Sequence, residues 1–395
     1  MQRINIMTSC DDNLAKFLLP QLNAIEKNLS NMDVHFYLFH HRISMSNINM
    51  IKNYADSLKN ITFHEIKVND IESYKIIAKN GGKWPEEAYF SLCCQNYLPD
   101  IDRILYIDAG DIIINGDISP FYFDDFEDKS LIVTGVNFKN SPDGLSMSVF
   151  TSDDMNTPKF MRYITEGWAF SAGCYVINLE KMRANNLGMD YFINISNELA
   201  QNIINGKNPE STTPYVGDQG FITVCFINDV KYFGYSIIEE TPQYRQHFSW
   251  GVVRSLYMPY HFTWYAYEYA PSYTYTPIVL HYCASGTGKP WVARFSMDEI
   301  KQYEEKVKKY SNLPDRKMYA PFFMKHQQQE MCEVWWEYCK NTEIYKEQNL
   351  IAKTYAQALQ EHYLPLCARY NTLVEATSMM QEQMSALLKA SGGAR

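Results

Sequence analysis

The residues best suited to chemistry lie in the segment Tyr106-Ile107-Asp108-Ala109-Gly110-Asp111-Ile112-Ile113-Ile114. Two carboxylates stand at the end of one apolar run, separated by small residues, and a second apolar run follows. Small residues let backbone come close to a ligand. Paired carboxylates with few bases nearby suit a hard divalent cation such as Mg²⁺ or Mn²⁺. Such a cation can bridge the two phosphates of a nucleotide-sugar and stabilise a departing diphosphate. An ordinary acid–glycine turn uses the same residue types, so this segment alone leaves both readings open.

The elements that must position this pair alternate between strand and helix patterns. Ile4–Thr8 reads as a strand, and Asp11-Asp12-Asn13 supplies caps for a helix through about Asn28. Val34–Phe39 and Ile61–Ile66 read as strands flanking a helix at about Ser44–Leu58. Pro85-Glu86-Glu87 opens a helix carrying Tyr89–Tyr97, with proline in the first turn and acids at the positive dipole end. Arg103–Ile107 is a further strand that ends on Asp108. This alternation predicts an α/β fold with a mostly parallel sheet, whose ligands sit at the carboxyl ends of strands. Thr8–Asn13 and Asp108–Asp111 both follow such ends. Leu131–Val136 and Gly173–Asn178 read as strands, and Leu179–Asn185 and Gly217–Phe226 as helices. Residues 241–277 hold Trp250, Trp264 and eight Tyr with no clean period, which reads as long functional loops. Ile278–His281 is a last strand before the loop Ala284-Ser285-Gly286-Thr287-Gly288-Lys289.

The 395 residues are 46% hydrophobic and 21% charged, which excludes global disorder. Lys and Arg number 36 against 45 Asp and Glu, a net charge of −9. That balance gives no general attraction for nucleic acid, which is bound by neutralising phosphates. The nine Cys form no CxxC pair, so they read as buried reduced thiols rather than a zinc or redox motif. The start of the chain runs into a strand with no leader-like apolar stretch, and no apolar run approaches the roughly 18 residues of a membrane span. The expectation is a soluble cytoplasmic protein. From residue 297 to 390 the pattern is helical, and 391–395 reads as a disordered tail. Leu366, Tyr370, Leu373, Thr377, Met380, Met384 and Leu387 recur at alternating spacings of four and three. This heptad seam either packs on its own domain or forms a homodimer through the helix spanning 366–388.

Taken together, five segments resemble the family 8 retaining glycosyltransferases over roughly residues 3–292, in the family's order. Ile6-Met7-Thr8-Ser9-Cys10-Asp11-Asp12-Asn13 is similar to its nucleotide-binding strand and turn. Asp108-Ala109-Gly110-Asp111 stands where the family carries a DxD. Phe170-Ser171-Ala172-Gly173-Cys174-Tyr175-Val176-Ile177-Asn178-Leu179 is similar to its FNAG segment, and Gly217-Asp218-Gln219-Gly220 to its DQD segment. His281-Tyr282-Cys283 through Lys289-Pro290-Trp291 is similar to its HY…KPW segment. The resemblance implies a GT-A type nucleotide-sugar-binding domain over 1–296 with a C-terminal helical extension. It implies Mn²⁺, or Mg²⁺, on Asp108, Asp111 and His281, although a histidine alone reads equally as a core residue. It implies a UDP-sugar donor, with glucose or galactose as the sugar, and a glycan, lipid-linked or protein acceptor. Thr8, Asp11, Asn13, Asp108 and Ala109 would meet the nucleotide, while Asp11 and Asn13 also suit helix capping. Gly286, Gly288 and Lys289 would meet the diphosphate. Asp218 and Gln219 would lie beside the anomeric carbon and stabilise developing positive charge.

Three positions depart from the family pattern. Two residues rather than one separate the acids, which reads as a one-residue insertion absorbed at Gly110. Ser91 stands where the family carries a donor-binding Arg. Ser171 replaces a sugar-contacting Asn, and with Asn137 it is a candidate for the acceptor side. The departures keep two other readings in view: a non-catalytic nucleotide- or glycan-binding partner of an active enzyme, and a nucleotidyltransferase or nucleotide-sugar hydrolase on a related fold.

Overall fold

The computed structural model describes residues 1–81, 84–137, 168–205, 217–226, 229–233, 278–282, 289–296, 298–299 and 326–392. The chain opens with β1 (Arg3–Ser9), α1 (Asp12–Ala15), α2 (Leu18–Asn28), β2 (Asp33–His40), α3 (Met45–Asp56), β3 (Ile61–Lys67) and α4 (Ile71–Gly81). A 3₁₀ segment, Glu86–Asn96, leads to β4 (Arg103–Ile107), β5 (Ile112–Ile114), α5 (Ser119–Tyr122) and β6 (Leu131–Asn137). Then come β7 (Trp168–Asn178), α6 (Leu179–Ala184), α7 (Met189–Asn205), α8 (Gly217–Phe226), β8 (Val230–Tyr232) and β9 (Val279–His281). Seven strands make one sheet in the order β3-β2-β1-β4-β7-β6-β8. Its first four are parallel, and β7 runs antiparallel to β4 and β6. The sheet is therefore mixed and mostly parallel, as the alternation predicts.

Both faces of the sheet are covered, which explains the strands' nearly unbroken apolar character. One face buries Ile4, Ile6, Val34 and Phe36 against Leu18, Leu22 and Ile25 of α2 and Ile48 and Ile51 of α3. Each such side chain, fully withdrawn from water, contributes about 2 kcal/mol. The other face buries Met7 and Phe39 against Tyr74 and Ile77 of α4, Phe192 of α7 and Phe221 of α8.

Local capping fixes where the helices begin. Asp11 accepts hydrogen bonds from the Asn13 and Leu14 backbone N–H groups at 3.0 and 3.2 Å. Ser44 Oγ accepts from Asn47 N at 3.4 Å and caps α3. The helix expected from Asp11 to Asn28 is broken in two at Lys16–Phe17. Phe17 leaves the helix register because it packs toward Gly110 and Trp291 rather than along α2. The helix expected after Pro85 is 3₁₀ and kinked at Cys93, whose φ of −126° and ψ of 24° are not helical.

A second, two-stranded sheet pairs β5 with β9 antiparallel, matching Ile112 with His281 and Ile114 with Val279. Beyond it lie α9 (His326–Cys339), α10 (Tyr345–Ala358), a π-helical turn (Leu359–Tyr363) and α11 (Leu364–Gly392). A third core cluster draws on both sides of residue 296: Phe17, Ile113, Leu280 and Trp291 pack with Trp335 and Trp336 of α9. On α11, Leu366, Leu373, Met380 and Met384 are exposed, so this stretch of the heptad face does not pack on its own domain. The same helix continues to Gly392, into the segment read as a tail. Six of the described cysteines are buried and all seven are unpaired. Among the described residues no helix is long and apolar enough to cross a membrane.

Candidate functional site

The carboxyl end of β4 delivers Asp108, and the turn after it delivers Asp111. The backbone N–H of Asp108 donates to the Gly173 carbonyl of β7 at 2.9 Å. Gln21 of α2 is wholly buried, and its Nε2 donates to the carbonyls of Asp108 and Ile112, each at 2.9 Å. One side chain thus ties both ends of the acidic turn. Gly110, between the two acids, has φ +74°, and a Cβ there would lie 2.8 Å from Phe17 Cβ. Glycine meets both demands, a left-handed backbone and a close approach.

β9 brings His281 to the same point. The residue after it closes the turn, with Tyr282 N–H donating to the Asp111 carbonyl at 2.8 Å. One ligand atom from each of Asp108, Asp111 and His281 lies within 4.8 Å of the other two. His281 Nε2 is 3.5 Å from Asp108 Oδ2. Asp108 Oδ1 accepts from the Tyr106 hydroxyl at 3.0 Å, which fixes the carboxylate's rotation. Asp111 Oδ2 is paired with Lys289 Nζ, which also donates to the Tyr282 carbonyl at 3.2 Å.

The donor set fits a divalent cation. Asp111 Oδ1 and His281 Nε2 are buried without a hydrogen-bond partner among the described residues. Buried polar atoms normally have one. The cluster also surrounds a missing side chain. A Cβ on Gly173 would collide with His281 Cε1 and come within 2.9 Å of both Asp108 Oδ2 and His281 Nε2. Two carboxylates and an imidazole suit Mn²⁺ well and Mg²⁺ less well.

Asp218 and Gln219 occupy the first turn of α8. Gly217 has φ +61°, and a Cβ on it would overlap the Trp84 indole, so Trp84 lies over this helix start. Asp218 keeps some surface contact with solvent. Dense surroundings and the negative charge of Asp108 nonetheless push its carboxyl from 3.8 up to about 8, against backbone hydrogen bonds that lower it. A cation on Asp108 would offset that negative charge. Gln219 Oε1 accepts from Ala172 N at 3.5 Å, which places its side chain along β7 beside Gly173.

The Tyr106 and Tyr175 rings stand 4.9 Å apart in this wall, and the Tyr175 hydroxyl donates to Ser91 Oγ at 2.7 Å. Ser91 is thus a buried partner of Tyr175, and no cation stands at that position. Thr8, next to last in β1, is fully buried, with Oγ1 lacking a hydrogen-bond partner among the described residues. Ala109 is buried beside Asp108. Asp11 performs the capping role, and Asn13, inside the first turn, donates its Nδ2 to Asp11 Oδ2 at 2.8 Å.

Ser171 lies on β7 two residues before Gly173. Asn137 lies at the end of β6, opposite Trp168. Gly286, Gly288 and the aromatic segment 241–277 lie outside the described residues. Sequence reasoning did not single out Gln21, Tyr106, Gly173 or Trp84 as site residues. Gln21 did carry a signal, a lone amide on the apolar face defined by Leu18, Leu22 and Ile25.

Among solved structures, the chain is similar to the galactosyltransferase LgtC in complex with donor and acceptor sugar analogues. Identity is 19%, coverage is 87% of this chain and 100% of that one, and the TM-score is 0.51. It is also similar to WbbM, a bifunctional glycosyltransferase, at 14% identity and a TM-score of 0.53, over 89% of this chain and 52% of that one. These likenesses establish a shared GT-A type fold. No curated protein matches the chain in sequence. The sequence description of glycosyl transferase family 8 matches residues 5–294, from β1 to just beyond Lys289, and the chain belongs to that family.

Proposed function

We propose that the protein is a metal-dependent, retaining hexosyltransferase that moves glucose or galactose from a UDP-sugar to a glycan, lipid-linked or protein acceptor. The observation that carries this reading is the convergence of Asp108, Asp111 and His281 around the space left by Gly173. These three residues would hold Mn²⁺, or Mg²⁺. The ion supplies Lewis-acid stabilisation of charge developing on the leaving diphosphate. Lys289 adjoins Asp111 and carries the mobile positive charge suited to the same phosphates. Thr8, Asp11, Asn13 and Ala109 line the strand ends where the nucleoside would bind. Gly286 and Gly288 belong to the proposed diphosphate loop by sequence.

Asp218 and Gln219 orient the sugar and stabilise positive charge at its anomeric carbon. Ser171 and Asn137 belong to the acceptor side. The reading includes a cytoplasmic location, which suits unpaired buried thiols. It also includes a homodimer through the exposed heptad face of α11, tested by light scattering on the full chain. A monomer at all concentrations sinks that part.

The test of the activity is UDP release from a panel of nucleotide-sugars, with acceptor mixtures, in Mn²⁺ or in EDTA, beside Asp108→Ala. The expected result is release from one donor that needs the metal and is lost in Asp108→Ala. Undiminished transfer by Asp108→Ala refutes the metal assignment. UDP binding without release from any donor favours the binding-partner reading, for which Ser91 in place of a cationic residue is the motivating observation.

A further inference from the structure

The acidic turn is held from outside the segment that matches the family. Gly110 stands between the two acids, where the sequence reads as a one-residue insertion, and its carbonyl accepts a hydrogen bond from Trp335 Nε1 at 3.0 Å. Trp335 belongs to α9, beyond the match that ends at residue 294. Both partners are buried, and Trp335 has no exposed surface. The next residue repeats the pattern: Trp336 Nε1 donates to the Pro290 carbonyl at 3.1 Å, directly after Lys289. Phe17 packs between these parts, stacked on Trp291 with centroids 4.2 Å apart and set 6.2 Å from Trp335. It also blocks the side of Gly110 where a Cβ would stand.

An inserted residue gives a turn an extra pair of soft dihedrals. Left unheld, Gly110 lets Asp108 and Asp111 vary their separation, because glycine takes many backbone conformations. Metal sites tolerate ligand displacements of only about 0.2 Å. The Trp335 indole removes that freedom. It fixes the Gly110 carbonyl on the side away from solvent, while Gln21 fixes the carbonyls of Asp108 and Ile112. The inserted turn is thereby pinned at three carbonyls by two buried side chains.

We infer that Trp335 is a positioning residue for the metal site, compensating the insertion at Gly110 by holding the Asp108–Asp111 turn in a cation-binding geometry. This rests on the reading of Asp108, Asp111 and His281 as metal ligands. It assigns the C-terminal helices a part in metal affinity.

The test titrates the full chain with Mn²⁺, following the free ion by EPR, alongside thermal melting. Three variants are compared with wild type: Trp335→Phe, an isosteric benzothienylalanine placed at Trp335 by amber suppression, and Cys332→Ala. The benzothienyl ring keeps the packing and lacks only the N–H. Cys332 lies one turn away in the same cluster, and the hydrogen bond to Gly110 comes from Trp335. Loss of one buried hydrogen bond predicts about fivefold weaker Mn²⁺ binding in both Trp335 variants. Cys332→Ala is expected to lower the melting temperature and leave Mn²⁺ affinity unchanged.

An unchanged Mn²⁺ dissociation constant in the benzothienyl variant overturns the inference, whatever Trp335→Phe does to folding. An equal weakening in Cys332→Ala overturns it too, because general loosening then explains the effect. Absence of Mn²⁺ binding by the wild type overturns the metal reading itself and this inference with it. Binding that is lost in Asp108→Ala isolates the two questions.

Discussion

Replacing Gly173 with alanine tests the site where its geometry is tightest. The new Cβ would collide with His281 Cε1 and approach Asp108 Oδ2 and His281 Nε2 to 2.9 Å each. Ordinary contact begins near 3.4 Å, so each of these two atoms must retreat by about 0.5 Å. Neither is free to do so. His281 is held by pairing with Ile112, and Asp108 by the Tyr106 hydroxyl and the Gly173 carbonyl. The two ligand atoms start 3.5 Å apart and are forced further from a common centre. A displacement of about 0.5 Å exceeds the tolerance of a coordination sphere, about 0.2 Å. Disturbed ligand orientation weakens metal binding by about 10- to 100-fold, and the upper end applies where two ligands move at once. The assay is the free-Mn²⁺ EPR titration, with circular dichroism confirming the fold. Gly188→Ala is the control, since a Cβ there meets nothing within 4 Å. Mn²⁺ binding by folded Gly173→Ala within threefold of wild type refutes the reasoning.

Two further perturbations follow from the same cluster. Gln21→Leu removes both amide hydrogen bonds and leaves two carbonyls at the acidic turn without that donor. The expected destabilisation is about 2 to 3 kcal/mol, read by urea unfolding, and a loss below about 0.5 kcal/mol contradicts the bracing role. Asp218 has its carboxyl raised from 3.8 to about 8 by burial and by Asp108, so the folded state holds a proton that the unfolded chain releases. The metal-free protein therefore loses stability as pH rises from about 4 toward 8. In EDTA, Asp218→Asn is expected to melt higher than wild type at pH 8 and alike at pH 4. Parallel melting curves across that range remove Asp218 as the source of the slope.

Much of the fold was legible because its signals are local. The strand Arg103–Ile107 and the helix Gly217–Phe226 have the limits that their patterns predict. The helix Ile71–Gly81 went unread although Tyr74, Ile77, Ala78 and Gly81 keep helical spacing, because the run is short and its packing against α7 is long-range. The break at Phe17 was equally hidden: nothing within the sequence 11–28 shows that Phe17 is required at Gly110, almost a hundred residues away. The site divides in the same way. The acids, His281 and Lys289 were legible through ordered motifs. Gly173 as the floor of the cluster was not, because a glycine's role depends on what its absent side chain would touch. Trp335 lies outside every motif, and only the packed structure brings it to Gly110.

The small sheet of β5 and β9 sets an order of events during synthesis. Asp111 and His281 are brought together by pairing strands that lie about 170 residues apart in the chain. Closing so long a loop costs entropy before the pairing rewards it. The nascent chain can fold β1 through β4 and expose its acidic turn, yet His281 is still to be made. On the proposed metal reading, a cation would meet two carboxylates first and its imidazole only after β9 docks. Tight metal uptake would then report that the domain is complete, and a chain halted before Val279 is expected to hold Mn²⁺ no better than a pair of surface acids does.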